Sequence, residues 1–299
     1  QILSEAGHAA GNTAPLVAAQ WFGQAASLVQ QGTQQWAELL SLQARWLFIA
    51  SRPSESASIA IEALKVSAAG PSRSRTLADT VNCLYISGNL SSAISIIDDE
   101  ESSGREVSVS LLAHSGKWDE AIALAEDVLW YMDHYRTNIS EGLIKAVVAD
   151  LLLERGDIRQ ARELLSSVNP PIQTMQFVLA NSFDKATIRS GNYKEARQSL
   201  EDRVTKSLQS GFGDSMIGAL DLLVEVCLLD NDRSAAQKWA GEAEALAQVS
   251  HSILRKIVAL LCRAEAFESV EAALQAIEIG KQHDLMLHLG RAHLLAGRF

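Results

Sequence analysis

The sequence predicts an all-α chain built as a tandem array of helical hairpins. One observation is composition: 47% of the 299 residues are hydrophobic, 6% are aromatic and only five are proline. Such a chain buries a large core, and with its abundant Ala, Leu, Glu and Gln it favours helices over a sandwich or barrel. A second is a phrase that recurs along the chain, a turn residue followed five positions later by alanine. The third is its spacing. The phrase begins at residues 11, 52, 88, 116, 156, 191 and 231, so successive copies lie 41, 36, 28, 40, 35 and 40 residues apart. That is the length of one helix–turn–helix unit.

The clear copies are Gly88–Ala93, Gly116–Ala121, Gly156–Ala161 and Gly191–Ala196, with weaker ones at Arg52–Ala57 and Asn231–Ala236. Gly11-Asn12 opens a further copy, with Leu16 in the alanine place. Each residue has a physical task. Gly88, Gly116, Gly156 and Gly191 end a helix because glycine accepts the left-handed conformation just past a C-terminus. Two residues on, Leu90, Trp118, Ile158 and Tyr193 are apolar anchors that open the next helix. Ala93, Ala121, Ala161 and Ala196 are small where two helices cross closely. Four residues further, Ile97, Ala125, Leu165 and Leu200 continue the same face.

Taken in order, the expected helix pairs are 1–10 with 14–30, 34–50 with 54–67, 73–87 with 90–99, and 104–114 with 118–135. They continue as 138–155 with 158–167, 172–190 with 193–210, 213–230 with 232–248, and 250–264 with 267–282, before a lone helix at 284–296. The turn near Glu265–Phe267 lacks a glycine. Pro170-Pro171 and Gly211-Phe212-Gly213 join repeats, and the acidic run Asp98–Glu101 reads as a solvated loop. No linker longer than a turn interrupts the series. Residues 1–299 are therefore expected to form one solenoid of about eight and a half helix pairs, winding as a right-handed superhelix with a concave surface.

These phrases resemble the tetratricopeptide repeat. The last segment shows the fullest first half, with Leu289-Gly290, His293 in an aromatic place, then Gly297 and Phe299 at the next turn. The order of elements from Ala9 to Leu64, with Trp21-Phe22, Arg45 and the Ser51-Arg52-Pro53 turn, is similar to the region after the ATPase module of large bacterial LuxR-type regulators, the maltose-operon activator family. That resemblance implies a cytoplasmic sensor region binding a small-molecule effector or protein partner. It would relay the signal to an ATPase and a DNA-binding domain outside this sequence. The first residue, Gln1, fits an excised piece on that reading, and the apolar Leu285, Leu287, Leu289 and Leu294-Leu295 would pack on further material or form a homodimer through the C-terminal end. The other reading is a stand-alone scaffold binding a peptide or helix of a partner.

Charge and motifs exclude other classes. With 26 basic against 36 acidic residues, net −10, the chain lacks the basic face needed to grip nucleic acid. No run of eighteen apolar residues spans a membrane. Cys83, Cys227 and Cys262 lie far apart, as buried reduced thiols do. No P-loop, His-Glu-x-x-His, nucleophile elbow or Cys-x-x-Cys occurs, so no catalytic residue, cofactor or metal is expected. His283, His288 and His293 step ~140° around a helix and share no face. Ala78 stands where the carboxylate-clamp partner of Asn82 would need to be basic. Trp130, Tyr131, His134 and Tyr135, clustered on one helix, are the candidate contact residues for a ligand or partner.

Overall fold

A backbone that turns sharply every thirty to forty residues must satisfy the last carbonyls of one helix before starting the next. The described turns at Gly88, Gly116, Gly156 and Gly191 do so in the same way. The computed structural model describes residues 2–11, 14–50, 52–68, 70–98, 105–135, 141–168, 176–209, 216–250 and 252–299. These contain seventeen helices: α1 (Ile2–Gly11), α2 (Pro15–Ser27), α3 (Gln34–Ile49), α4 (Pro53–Val66), α5 (Pro71–Ile86), α6 (Leu90–Asp98), α7 (Arg105–His114), α8 (Trp118–Tyr135), α9 (Glu141–Arg155), α10 (Ile158–Ser166), α11 (Gln176–Arg189), α12 (Tyr193–Gln209), α13 (Ile217–Leu229), α14 (Arg233–Val249), α15 (Ile253–Phe267), α16 (Val270–Gln282) and α17 (Met286–Arg298). No strand occurs among the described residues. Asn12, Ser51, Asp99–Glu101, Pro170-Pro171 and Gly211–Gly213 lie outside the described residues, as do the side chains of His134 and Tyr135.

At these four glycine turns the backbone makes two bonds that stitch the helix end. At Gly88 (φ 80) the glycine N–H reaches the Tyr85 carbonyl at 2.9 Å and Asn89 N–H reaches Leu84 at 2.8 Å. The same pair recurs at Gly116, Gly156 and Gly191. This is the Schellman arrangement, and it needs a left-handed residue at its centre. Ala93, Ala121, Ala161 and Ala196 are wholly buried at the crossings.

Two expectations are corrected. The turn placed at 265–267 lies at Glu268 and Ser269, where Glu268 takes the left-handed conformation (φ 53) and Ser269 N–H bonds the Ala264 carbonyl at 3.0 Å. Ser269 then caps α16 by accepting from Ala272 N–H at 3.2 Å. The phrase is present there too, from Glu268 to the buried Ala273, 37 residues after Asn231. Gly297 lies inside α17 instead of in a turn. Gly290 has open space where a Cβ would point, so no neighbour needs its smallness; in that hairpin Gly280 makes the close approach, since a Cβ there would stand 3.2 Å from Leu289 Cβ.

The chain divides into two compact units. Unit 1 comprises residues 1–104 with Ser250–Leu254, and is held by aromatic rings set into glycine gaps. A Cβ on Gly7 would stand 2.6 Å from the Phe22 ring, and one on Gly11 would stand 2.1 Å from the Trp46 ring. Phe22 joins Ala25, Ala26, Ala37, Leu39, Leu40 and Ala63 in its core. Hydroxyls bridge its helices: Ser56 Oγ donates to the Ala44 carbonyl at 2.6 Å, Thr76 Oγ1 to Ser41 Oγ at 2.8 Å, and Ser252 Oγ to the Ile86 carbonyl at 3.0 Å.

Unit 2 comprises Arg105–Val249 and Arg255–Phe299. Its hairpins bury Val109, Ala125, Val128, Met132 and Ile144 in one cluster and Ala146, Ala149, Leu153, Ala161, Leu165 and Leu179 in another. Trp118 packs with Ala113, Ala121 and Leu151, as an anchor should. No helix among the described residues is long and apolar enough to cross a membrane.

Candidate binding groove

Within unit 2, the first helices of three successive hairpins each carry a pair of like charges. Asp150 and Glu154 lie four residues apart on α9, Lys185 and Arg189 on α11, and Asp221 and Glu225 on α13. Like charges at that spacing share a helix face and repel, so each pair requires partners elsewhere. The repeat provides them. The α11 pair follows the α9 pair by 35 residues and precedes the α13 pair by 36, which sets two cations between two rungs of carboxylates.

Lys185 Nζ bonds Glu154 at 2.7 Å, and Arg189 pairs with Glu225. On α17, Arg291 bonds Asp221 at 2.6 Å and holds Glu265 of α15 through two parallel bonds of 3.1 and 3.0 Å. A guanidinium engaged on both edges is geometrically fixed as well as neutralised. Cys262 Sγ donates to the other Asp221 oxygen at 3.4 Å. His288, one turn before Arg291, lies close enough to Asp221 and to His114 of α7 for their charges to interact. The turn at Gly116 also lies beside Met286 of α17. The six odd-numbered helices of unit 2 therefore share one polar inner face.

Burial and pairing compete at each group. Burial works against the charge of Asp221, but Arg291 and the Cys262 thiol win and hold its carboxyl below the usual range. Burial dominates at Glu265 and raises it despite Arg291, because Asp221 and Glu225 add repulsion. Asp150 is raised by burial, only partly offset by Lys185 and a hydrogen bond from Ser182. Lys185 and Arg291 are raised because flanking carboxylates outweigh burial. Burial lowers His288 to about 4, and burial together with His288 lowers His114 to about 3. Both imidazoles are neutral at pH 7. Burial raises the Cys262 thiol well above its ordinary value, so it is no nucleophile at that pH. No group of three His, Cys, Asp or Glu among the described residues is arranged to hold a metal ion.

Of the sequence-derived contact residues, Trp130 and Tyr131 are 64% and 54% exposed on α8. They lie on an even-numbered helix, whereas the charged rungs lie on odd-numbered ones. At the far end, Leu294 is 76% exposed while Leu285 and Leu295 are buried within unit 2. Sequence reasoning missed the charged rungs altogether. Their signal was the like-charge pair at four-residue spacing on an apolar helix, repeated with inverted sign one hairpin later.

No family model matches the chain, and no curated protein matches it. Solved structures do. A Rap protein complexed with Competence and Sporulation Factor superposes with a TM-score of 0.58 at 11% identity, over 99% of this chain and 95% of that one. A tetratricopeptide repeat protein from Parabacteroides merdae gives a TM-score of 0.43 at 11% identity, over 86% and 98% of the two chains. The Naa15/Naa10 assembly bound to HypK-THB gives 0.32 at 12% identity, over 94% of this chain and 41% of that chain. At these identities the likeness shows the fold: a tetratricopeptide-like array of helical hairpins. None of these structures supports the LuxR-type or maltose-operon assignment.

Proposed function

We propose that the chain is a non-catalytic interaction scaffold whose unit 2 groove holds a peptide segment of a partner protein. The charged inner face carries this reading. A chain selected for stability alone gains by filling such a space with apolar side chains, since paired charges rarely recover their desolvation cost. These rungs stay partly open to solvent instead and present oriented donors and acceptors. The fold neighbour crystallised with Competence and Sporulation Factor supports the idea that such an array can hold a ligand. The exposed Trp130 and Tyr131 offer the same partner a second contact. No observation favours the finer reading, an effector sensor feeding an ATPase and a DNA-binding domain.

The test is selection from a random peptide library on the full chain, then measurement of each hit on Asp221→Asn/Glu225→Gln. Hits should weaken at least tenfold in that variant with their binding to Trp130→Ala less affected. Hits indifferent to the groove substitutions but lost in Trp130→Ala would move the site to α8. An empty selection would remove the reading.

A further inference from the structure

Carboxylates outnumber cations in the rungs of unit 2, and the shortage has an address. Five carboxylates (Asp150, Glu154, Asp221, Glu225 and Glu265) face three cations, while both histidines are neutral at pH 7. Arg291 serves Asp221 and Glu265, and Arg189 serves Glu225. Of the α9 pair, Glu154 takes the Lys185 bond and also feels the charges of Arg189 and Arg291, while Asp150 has the charge of Lys185 without its bond. Asp150 is half-buried, and its Oδ1 oxygen is sealed from water with no hydrogen-bond partner. An unpaired buried acceptor costs a free energy that a donor would recover. Glu154, by contrast, keeps 37% of its side chain open.

We propose, resting on the groove reading above, that the groove selects a partner segment through a basic side chain, a guanidinium or ammonium that docks on Glu154. Its arrival releases the Lys185 ammonium from Glu154. Lys185, already close to Asp150, then turns to the bare Oδ1 oxygen. Each of the two α9 carboxylates ends with its own cation, and the deficit that burial imposes on Asp150 disappears. An acidic segment would find every cation of the inner face already bound to carboxylate and would add repulsion. An apolar segment would leave the deficit unchanged.

The experiment uses the full chain and three capped hexapeptides, alternating glycine with arginine, citrulline or glutamate, titrated calorimetrically at low and moderate salt. The arginine peptide should bind and weaken with salt, while the citrulline and glutamate peptides should not bind. Asp150→Asn and Glu154→Gln should each weaken the arginine peptide about tenfold, the size of one charge-assisted hydrogen bond. Glu278→Gln, an exposed carboxylate on α16, should leave it unchanged. Lys185→Met should tighten binding, because it removes the internal competitor; a purely structural role for Lys185 would give the opposite sign. Thermal melts confirm which variants are folded. Equal binding of arginine and citrulline, or arginine binding indifferent to the two α9 substitutions, overturns the proposal. If library hits bind the groove without any basic preference, only this inference fails. If no peptide binds there, the scaffold reading fails with it.

Discussion

Units 1 and 2 use the same hairpin and the same kind of turn, yet they are held together by different chemistry. In unit 1 the helices meet through rings in glycine gaps, hydroxyl bridges and the Arg45–Asp79 ion pair at 3.0 Å. In unit 2 the corresponding helices carry alternating rungs of carboxylates and cations. The outer framework of turn and small-residue crossing tolerates either interior. The repeat therefore specifies how helices stack, and the inner face is left to specify what the stack contacts.

The sharpest way to break the comparison is Arg291→Met. It leaves Asp221 and Glu265 without their cation, and uncompensated buried charge costs about 3 kcal/mol. Urea unfolding followed by circular dichroism should show that loss, whereas Arg45→Met in unit 1 strands one carboxylate instead of two, in a pair about one-third exposed, and should cost less, about 1 kcal/mol. A comparable loss from both would erase the distinction. Unit 1 has its own weak point: Gly11→Ala drives a methyl into the Trp46 ring and should cost about 1–3 kcal/mol, while Gly290→Ala in unit 2 meets open space and should be neutral or better.

Acid should act on unit 2 first. His114 and His288 have folded pKa values depressed from 6.5 to about 3 and about 4, so below pH 6.5 the unfolded chain binds more protons. The stability from keeping them neutral is complete above pH 6.5 and is lost as pH falls toward 4 and then 3, at about 1 kcal/mol per pH unit for each. Asp221 and Glu154, held low, add to the loss at the acid end, while protonation of the raised Asp150 and Glu265 opposes it. Melting temperature measured from pH 7 to 4 should fall, and should fall less in His288→Asn. A flat profile would mean the imidazoles are not enclosed. The smallest effect is at a turn: Glu268→Gly relieves a left-handed glutamate but loses its exposed bond to Arg233, for a net gain of about 0.5 kcal/mol.

The turns were legible because their chemistry is local. Gly88, Gly116, Gly156 and Gly191 each announce a left-handed residue, and the alanine five positions on announces a crossing. Glu268 hid its turn because the stitching bonds come from the backbone, and any residue can hold that conformation at a cost of ~1 kcal/mol. Gly290 and Gly297 misled for the converse reason: each occupies a family position, but space around the first is open and the second continues a helix. The groove was harder to see. Asp150 and Glu154 read singly as solvated charges, and only comparison with Lys185, Arg189, Asp221 and Glu225 one hairpin apart shows the alternation. Long-range pairing of that kind has no signature inside a fifteen-residue window.

The alternation of sign also works as a parity check on the array. Tandem repeats are prone to lose or gain a unit when their genes recombine, and a hairpin framework accepts such edits readily. Excising α11 and α12 would set Asp150 and Glu154 directly against Asp221 and Glu225, four carboxylates with no cation between them. Duplicating that hairpin would stack Lys185 and Arg189 on their own copies. Either edit would be rejected by repulsion, even with every turn and crossing intact. The hydroxyl bridges of unit 1 carry no sign and impose no such count, so changes in repeat number should be tolerated there and refused between α9 and α13.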